Sequence, residues 1–306
     1  MDHGRTSDSH AHTTDPSGPV REGRHAPRRA RRHAHLRARY GPWAVVTGAS
    51  SGIGRACAVQ LAEAGLNLIL VARGRAVLDQ LAVDLTTRHG IEARVIAVDL
   101  AVEAELDEVV VKTDEVDVGL LVAAAGFGTS GPFLESTLEQ EEAMLAVNCG
   151  AVLVLARHFG RRFARRGRGG LVLMSSLVGF QGVPHAAHYA ATKAYVQTLA
   201  EALHVELRPL GVDVLASAPG PVHSGFAARA DMRMGVALQP AAVARATLTA
   251  LGHTTTVAPG LLSKVLLGAL VPLPRWARTR VMGRVMRGMT AHEEEATTER
   301  GGPLAG

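Results

Sequence analysis

The feature that most constrains this chain is a series of short apolar runs set at regular intervals. They are WAVVT from Trp43, LNLILVA over 66–72, ARVIAVDL over 93–100, GLLVAAAG over 119–126, GLVLMSS over 170–176 and GVDVLASAPG over 211–220. Helix-patterned stretches separate them, at about 52–64, 75–89, 102–114, 137–166 and 186–208. Runs this short read as buried strands, and connections long enough to hold a helix join strands that lie parallel. The alternation therefore predicts an α/β fold, a doubly wound parallel sheet with helices on both faces, formed as a single domain over 41–260. A content of 47% apolar residues with only 4% aromatic ones fits strands buried on both sides. No internal repeat competes with this reading.

The flanks differ from the body. Residues 1–40 are rich in Arg, His, Gly and Pro and lack apolar periodicity, which predicts a disordered, dispensable N-terminal extension. No apolar stretch follows its arginines, so it does not read as a secretory signal. Six of the fourteen histidines lie there at irregular spacing, which argues against metal binding. The net charge of +5 is accounted for by the same segment, with nine arginines against four acids. The body over 41–260 is slightly acidic, so no nucleic-acid partner is expected. Cys57 and Cys149 offer neither a disulfide framework nor a metal-ligand spacing, and a reducing, cytoplasmic setting fits them.

The first strand runs directly into Thr47-Gly48-Ala49-Ser50-Ser51-Gly52-Ile53-Gly54, which opens the first helix. Glycines allow a tight turn and close approach to a pyrophosphate, and the helix start supplies N–H groups and the positive dipole end. Position and chemistry together predict a Rossmann-type dinucleotide site, although the spacing is G-x-x-x-G-x-G rather than the G-x-G-x-x-G of that fingerprint. At the end of the second strand an NAD site would hold an acid for the ribose 2′-hydroxyl. This chain has Arg73 there, with Arg75 close behind, which suits a 2′-phosphate and favours NADP(H) over NAD(H). Asp99, ending the third strand, is placed either to reach the adenine or to cap the next helix.

Tyr189 and Lys193 form a second motif. The chain has only three tyrosines and three lysines, and these two stand at the i, i+4 spacing that puts them on one helix face. An ammonium beside a phenol is expected to lower the tyrosine pKa toward neutrality and produce a general acid/base for a carbonyl or alcohol oxygen.

Taken together, these motifs resemble the short-chain dehydrogenase/reductase family over about 43–258. TGASSGIG at 47–54 matches its coenzyme turn, and Tyr189-x-x-x-Lys193 its YxxxK. Ser176 matches the catalytic serine, Asn148 the catalytic asparagine, Asp99 the adenine-side aspartate, and Pro219-Gly220-Pro221-Val222 the turn beside the nicotinamide. The resemblance implies hydride transfer between the nicotinamide and a ketone or secondary alcohol. Tyr189 would be the acid/base and Lys193 would tune it. Ser176 would hold the substrate oxygen, and Asn148 would hold a relay water. It implies cofactor contacts from Gly48, Ser50, Ser51, Gly52, Ile53, Gly54, Arg73, Asp99, Leu100, Ala125, Gly126, Tyr189, Lys193, Pro219, Val222 and Ser224. No metal is implied; a homo-oligomer through the helices carrying Asn148 and Tyr189 is. One departure stands out: Ala123-Ala124-Ala125-Gly126 replaces the family's NNAG, which puts cofactor affinity in question and leaves the catalytic set intact. His185 and His188 flank the tyrosine and read as surface or pocket-lining residues rather than a second acid/base.

Two segments bear on the substrate. Residues 223–237, with two methionines, stand where the family keeps a loop over its substrate and suggest an apolar, acyl or lipid-like molecule. Residues 261–290 extend past the family's usual core as a basic amphipathic helical segment, and 291–306 form a flexible tail. The apolar part of 261–290 is too short to span a bilayer. Its second half places Val281, Met282, Val285, Met286 and Met289 at helical spacing among arginines. Peripheral contact with a membrane is one expectation for it; packing on the domain or on a second subunit is the other. Two further functional classes stay open at this point, a catalytically idle nucleotide sensor and a lipid-surface protein.

Overall fold

The computed structural model describes residues 1, 28–223, 237–270 and 272–290. Seven strands form one parallel sheet. They are β1 (Trp43–Thr47), β2 (Asn67–Ala72), β3 (Ala93–Ala97), β4 (Val118–Ala123), β5 (Gly169–Met174), β6 (Val212–Ser217) and β7 (Thr256–Val257), in the order β3-β2-β1-β4-β5-β6-β7. The six expected strands are all present, and the two-residue β7, too short to register as a pattern, adds the edge beside β6.

Side chains alternate across the sheet with the period of two that extended backbone imposes. Ala44, Val46, Leu68, Leu70, Leu120 and Val122 face one layer; Val45, Ile69, Val71, Leu121 and Leu171 face the other. The first layer is built by α2 (Gly52–Glu63), α3 (Arg75–His89) and, farther along, the helix Pro240–Ala250. The second is built by α4 (Glu103–Asp114), by a long helix over Leu138–Arg166, and by α7 (Ala187–Leu207). The long helix consists of α5 (Leu138–Leu145), a π turn at Ala146–Ala151 and α6 (Val152–Arg166). It is long and apolar enough to cross a membrane, but half of its most apolar window is buried inside the protein. We number Pro240–Ala250 as α8; α9 (Leu261–Leu270) and α10 (Arg275–Thr290) follow it.

The N-terminal segment departs from expectation. Residues 2–27 lie outside the described residues, but Arg28–Tyr40 form a helix, α1, rather than disordered chain. Two residues account for this. Leu36 and Tyr40 are buried in the layer over β4 and β5, and a Cβ on Gly170 would sit 2.9 Å from the Tyr40 ring. Polar anchoring accompanies the packing: Tyr40 Oη and Arg39 Nε each donate to Asp213 Oδ2 at 2.9 Å, tying α1 to β6. A basic helix with one short apolar face carries little periodic signal, so the sequence pattern does not reveal it. Residues 291–306, expected to form a tail, are also outside the described residues.

Leu36→Ala should lower the unfolding free energy by about 2–4 kcal/mol, the usual cost of emptying a buried leucine site. Denaturant unfolding checks this; an unchanged midpoint would restore the reading of α1 as dispensable.

Candidate active site

An open parallel sheet gathers its loops at the carboxyl ends of the strands, and the strand order reverses between β1 and β4. One continuous cavity of about 830 Å³ lies there and runs from the Gly48–Gly54 turn to α9 and α10.

At one end the backbone itself is the wall. Gly48 has φ +67°, and a Cβ on it would sit 2.8 Å from the Ala125 nitrogen. A Cβ on Gly54 would fall 2.3 Å from the Gly48 carbonyl oxygen. The turn can therefore close this tightly only with glycine at both positions. Ser51 precedes α2 without a side-chain cap, so the first-turn N–H groups are met by no capping oxygen. Thr47 Oγ1 accepts from Ala125 N at 3.0 Å, joining the turn to the loop after β4. This cradle fits a dinucleotide pyrophosphate. Arg73 and Asp99 line the cavity beside it, with Arg73 Nη1 3.6 Å from Asp99 Oδ2. Asp99 Oδ1 accepts from Ala101 N at 3.0 Å and shapes the turn into α4, whose capping position is Val102. Arg75 instead pairs with Asp79 along α3.

Midway, α7 presents Tyr189 and Lys193. Both are buried, and Lys193 Nζ donates to the Met174 carbonyl oxygen at 3.0 Å. Ser176, just past β5, hydrogen-bonds the Tyr189 hydroxyl and lies 3.5 Å from the Pro219 carbonyl oxygen. Asn148 stands behind the cavity wall, in the π turn. Its Nδ2 donates to Phe127 O at 2.8 Å and to Thr192 Oγ1 at 3.0 Å, and its Oδ1 accepts from Phe127 N at 3.1 Å. Thr192 Oγ1 donates in turn to Tyr189 O at 2.8 Å. The amide thus braces the loop after β4 against α7. Gly126 lies between them: a Cβ there would meet Asn148 Oδ1 at 2.9 Å and Lys193 Nζ at 3.3 Å.

The electrostatics correct the expectation drawn from spacing. Burial pushes the Tyr189 phenol up to about 12, with the Ser176 hydrogen bond acting against it, and pulls Lys193 down to about 8. Nζ lies 5.8 Å from the phenol ring centroid and spends a proton on a backbone carbonyl. At that separation, desolvation of each charge outweighs their mutual attraction.

Most sequence-predicted residues meet on this one cavity. Gly48, Ser50, Ser51, Gly52, Ile53, Gly54, Arg73, Asp99, Leu100, Ala125, Gly126, Ser176, Tyr189, Lys193, Pro219 and Val222 all line it. Ser224 lies outside the described residues, as does most of the 223–237 loop. Sequence reasoning missed Glu141. This buried carboxylate on α5 lies 2.5 Å from His188 Nδ1 and accepts from Thr129 Oγ1 at 3.1 Å. With Gly131 N donating to the carbonyl of His185, itself at φ +64°, it ties the loop after β4 to the start of α7. His188 is thereby a structural partner of Glu141. The far wall is apolar and comes from α9 and α10, including Leu267, Leu270, Met282 and Met286. Among the described residues no group of three or more His, Cys, Asp or Glu is placed to hold a metal ion.

Comparison with known proteins gives a consistent match. The short chain dehydrogenase family model matches residues 42–234. A 7beta-hydroxysteroid dehydrogenase of Collinsella aerofaciens is 31% identical over 180 residues, covering 59% of this chain and 68% of that one. A very-long-chain 3-oxoacyl-CoA reductase of Phaeosphaeria nodorum is 37% identical over 180 residues, covering 57% of this chain and 53% of the relative. Among solved structures, a short-chain dehydrogenase from Sphingobium yanoikuyae in complex with NADPH superposes with a TM-score of 0.69 at 30% identity. That match covers 77% of this chain and 97% of that one.

The depressed Lys193 has a measurable consequence. Between about pH 8 and 10.5 the folded chain has released that proton while the unfolded chain still holds it, so stability should rise with pH through this window. Unfolding free energies of the wild type relative to Lys193→Met should show the rise. A difference that stays flat would mean that Nζ remains charged in the fold.

Proposed function

The chain belongs to the short chain dehydrogenase family, and from that membership we propose that it is an NADP(H)-dependent oxidoreductase. It would move a hydride between the nicotinamide and a ketone or secondary alcohol of an apolar substrate. The observation that carries this reading is the Ser176–Tyr189–Lys193 group opening into the same cavity as the glycine cradle.

The bound nicotinamide would supply or accept the hydride. The chain's own residues handle the proton and the oxygen. Tyr189, held neutral by its burial, is a proton donor ready for the oxygen of a ketone undergoing reduction, and the base for the alcohol in the reverse direction. Ser176 Oγ, already bonded to that phenol, would hold the substrate oxygen and stabilise its developing charge. Lys193, close to half-protonated near pH 8, would compensate charge on the phenol as the proton leaves. Asn148 has both amide donors engaged, so it would hold a relay water through an acceptor. The π turn that holds it is a distortion often met at functional sites. Gly48, Gly52 and Gly54 would admit the pyrophosphate, and Arg73 would face the 2′-phosphate. An apolar wall from α9 and α10 supports an acyl or lipid-like substrate. A homo-oligomer belongs to the same reading, since Leu153, Val154 and Tyr195 leave apolar surface on α6 and α7.

Two experiments test it. With a panel of acyl and cyclic ketones, the wild type should oxidise NADPH, and Tyr189→Phe should lower kcat by roughly 10³ while NADPH still binds. Full activity in the variant refutes the assignment of the proton. Arg73→Ala should weaken NADPH binding by about tenfold to a hundredfold and leave NADH binding unchanged, as measured by titration calorimetry. Equal losses for both nucleotides would remove the case for the 2′-phosphate.

A further inference from the structure

α9 and α10 have two faces with opposite settings. The inner face is packed: Met286 is buried in a cluster with Tyr189 and Val183, and a Cβ on Gly283 would lie 3.0 Å from the Pro184 ring. The outer face is apolar and exposed. Leu261 is 77% exposed, Val265 56% and Trp276 64%. Between the faces, Leu266, Val281 and Val285 are exposed and also line the cavity, so the cavity mouth lies between these two helices.

Charge identifies what this face meets. Residues 261–290 contain Lys264 and five arginines and no acid. Trp276, Arg280, Arg284 and Arg287 follow helical spacing along one side of α10, and the Arg280 guanidinium lies 5.3 Å over the Trp276 ring. An apolar patch rimmed by cations, with a tryptophan at its edge, matches the zone between lipid headgroups and acyl chains. A second copy of this chain fits poorly, because a two-fold contact sets the patch against itself and opposes its arginines with the same arginines of the partner.

We propose that the outer face of α9 and α10 docks on an anionic lipid surface, with the cavity mouth opening onto the bilayer. An apolar carbonyl compound then reaches Tyr189 from the lipid phase without crossing water. The docking stands on the surface alone, whereas the delivery route rests on reading the cavity as the substrate pocket.

Flotation of the full chain with vesicles of phosphatidylcholine, alone or mixed with phosphatidylglycerol, tests the docking. The wild type should float with the mixed vesicles, stay down with the neutral ones, and be released by salt. The triple variant Trp276→Ala, Arg280→Gln, Arg284→Gln alters no cavity-lining residue. It should keep its melting temperature and lose roughly a hundredfold in partitioning. No flotation of the wild type overturns the proposal. Equal flotation of the variant also does, by assigning the contact to the basic N-terminal residues. A dimer abolished by the same substitutions would give the face to a second copy. In a parallel assay, docking should speed NADPH oxidation by a bilayer-resident ketone and leave the rate with a water-soluble ketone unchanged. Flotation without oxidation of either ketone would leave the docking standing and refute the oxidoreductase reading.

Discussion

A buried ammonium needs an acceptor close by, and the site is organised around how Lys193 meets that need. Its Nζ reaches back to the Met174 carbonyl at the end of β5, which fixes the rotation of α7 about its own axis. Tyr189, one turn earlier, is then directed at Ser176 on the same loop. Ser175 Oγ donates to the carbonyl of Lys193 at 3.0 Å, so the strand end holds both the head and the backbone of that residue. Without the contact the lysine would be an uncompensated charge in a dry interior, a state that costs far more than a single lost hydrogen bond. The β5–α7 join is thus a common support for Tyr189, Lys193 and Ser176.

The other half of the support comes from the long helix under the sheet. A regular helix over Leu138–Arg166 would keep every backbone bond at i, i+4. The π turn at Ala146–Ala151 breaks that repeat where Asn148 bonds both the Phe127 backbone and Thr192. Glu141 repeats the arrangement one level out, linking Thr129 to His188. Two polar braces on one helix therefore hold the loop after β4 against the first turns of α7. That loop carries Ala125 and Gly126 past the glycine cradle, so the glycine turn and the Tyr189–Lys193 pair share one frame.

How much of this is legible in the sequence depends on whether a feature is local. The strands, the glycine turn and the Tyr189–Lys193 pair are local patterns, and the structure brings their residues to one cavity. The Glu141–His188 contact spans 47 residues, and a glutamate on a polar helix face looks like any solvated charge. The direction of the tyrosine shift is hidden from the sequence for a related reason. Spacing reveals which groups are neighbours but not how dry their surroundings are, and desolvation decides the sign here. In α1 the apolar signal shrinks to Leu36 and Tyr40 in an arginine-rich run, while the counterpart surface is Gly119 and Gly170. A Cβ on Gly119 would lie 2.5 Å from Tyr40 O, so these glycines are sites of close backbone approach that strand patterning alone reads as weak strand residues.

The polar and apolar ends of the cavity bear on each other through water. Met282 and Met286 pack in or beside the cluster that contains Tyr189, so the same wall that would receive an apolar substrate also keeps solvent from the phenol. Excluding water there holds Tyr189 protonated and lowers the pKa of Lys193 to about 8. It would also strengthen every hydrogen bond made by a substrate oxygen, because the local dielectric falls. On the proposed function, substrate preference and the acid strength of Tyr189 would consequently be set by one structural element. Any change that wets the α10 face of the cavity should therefore move both together.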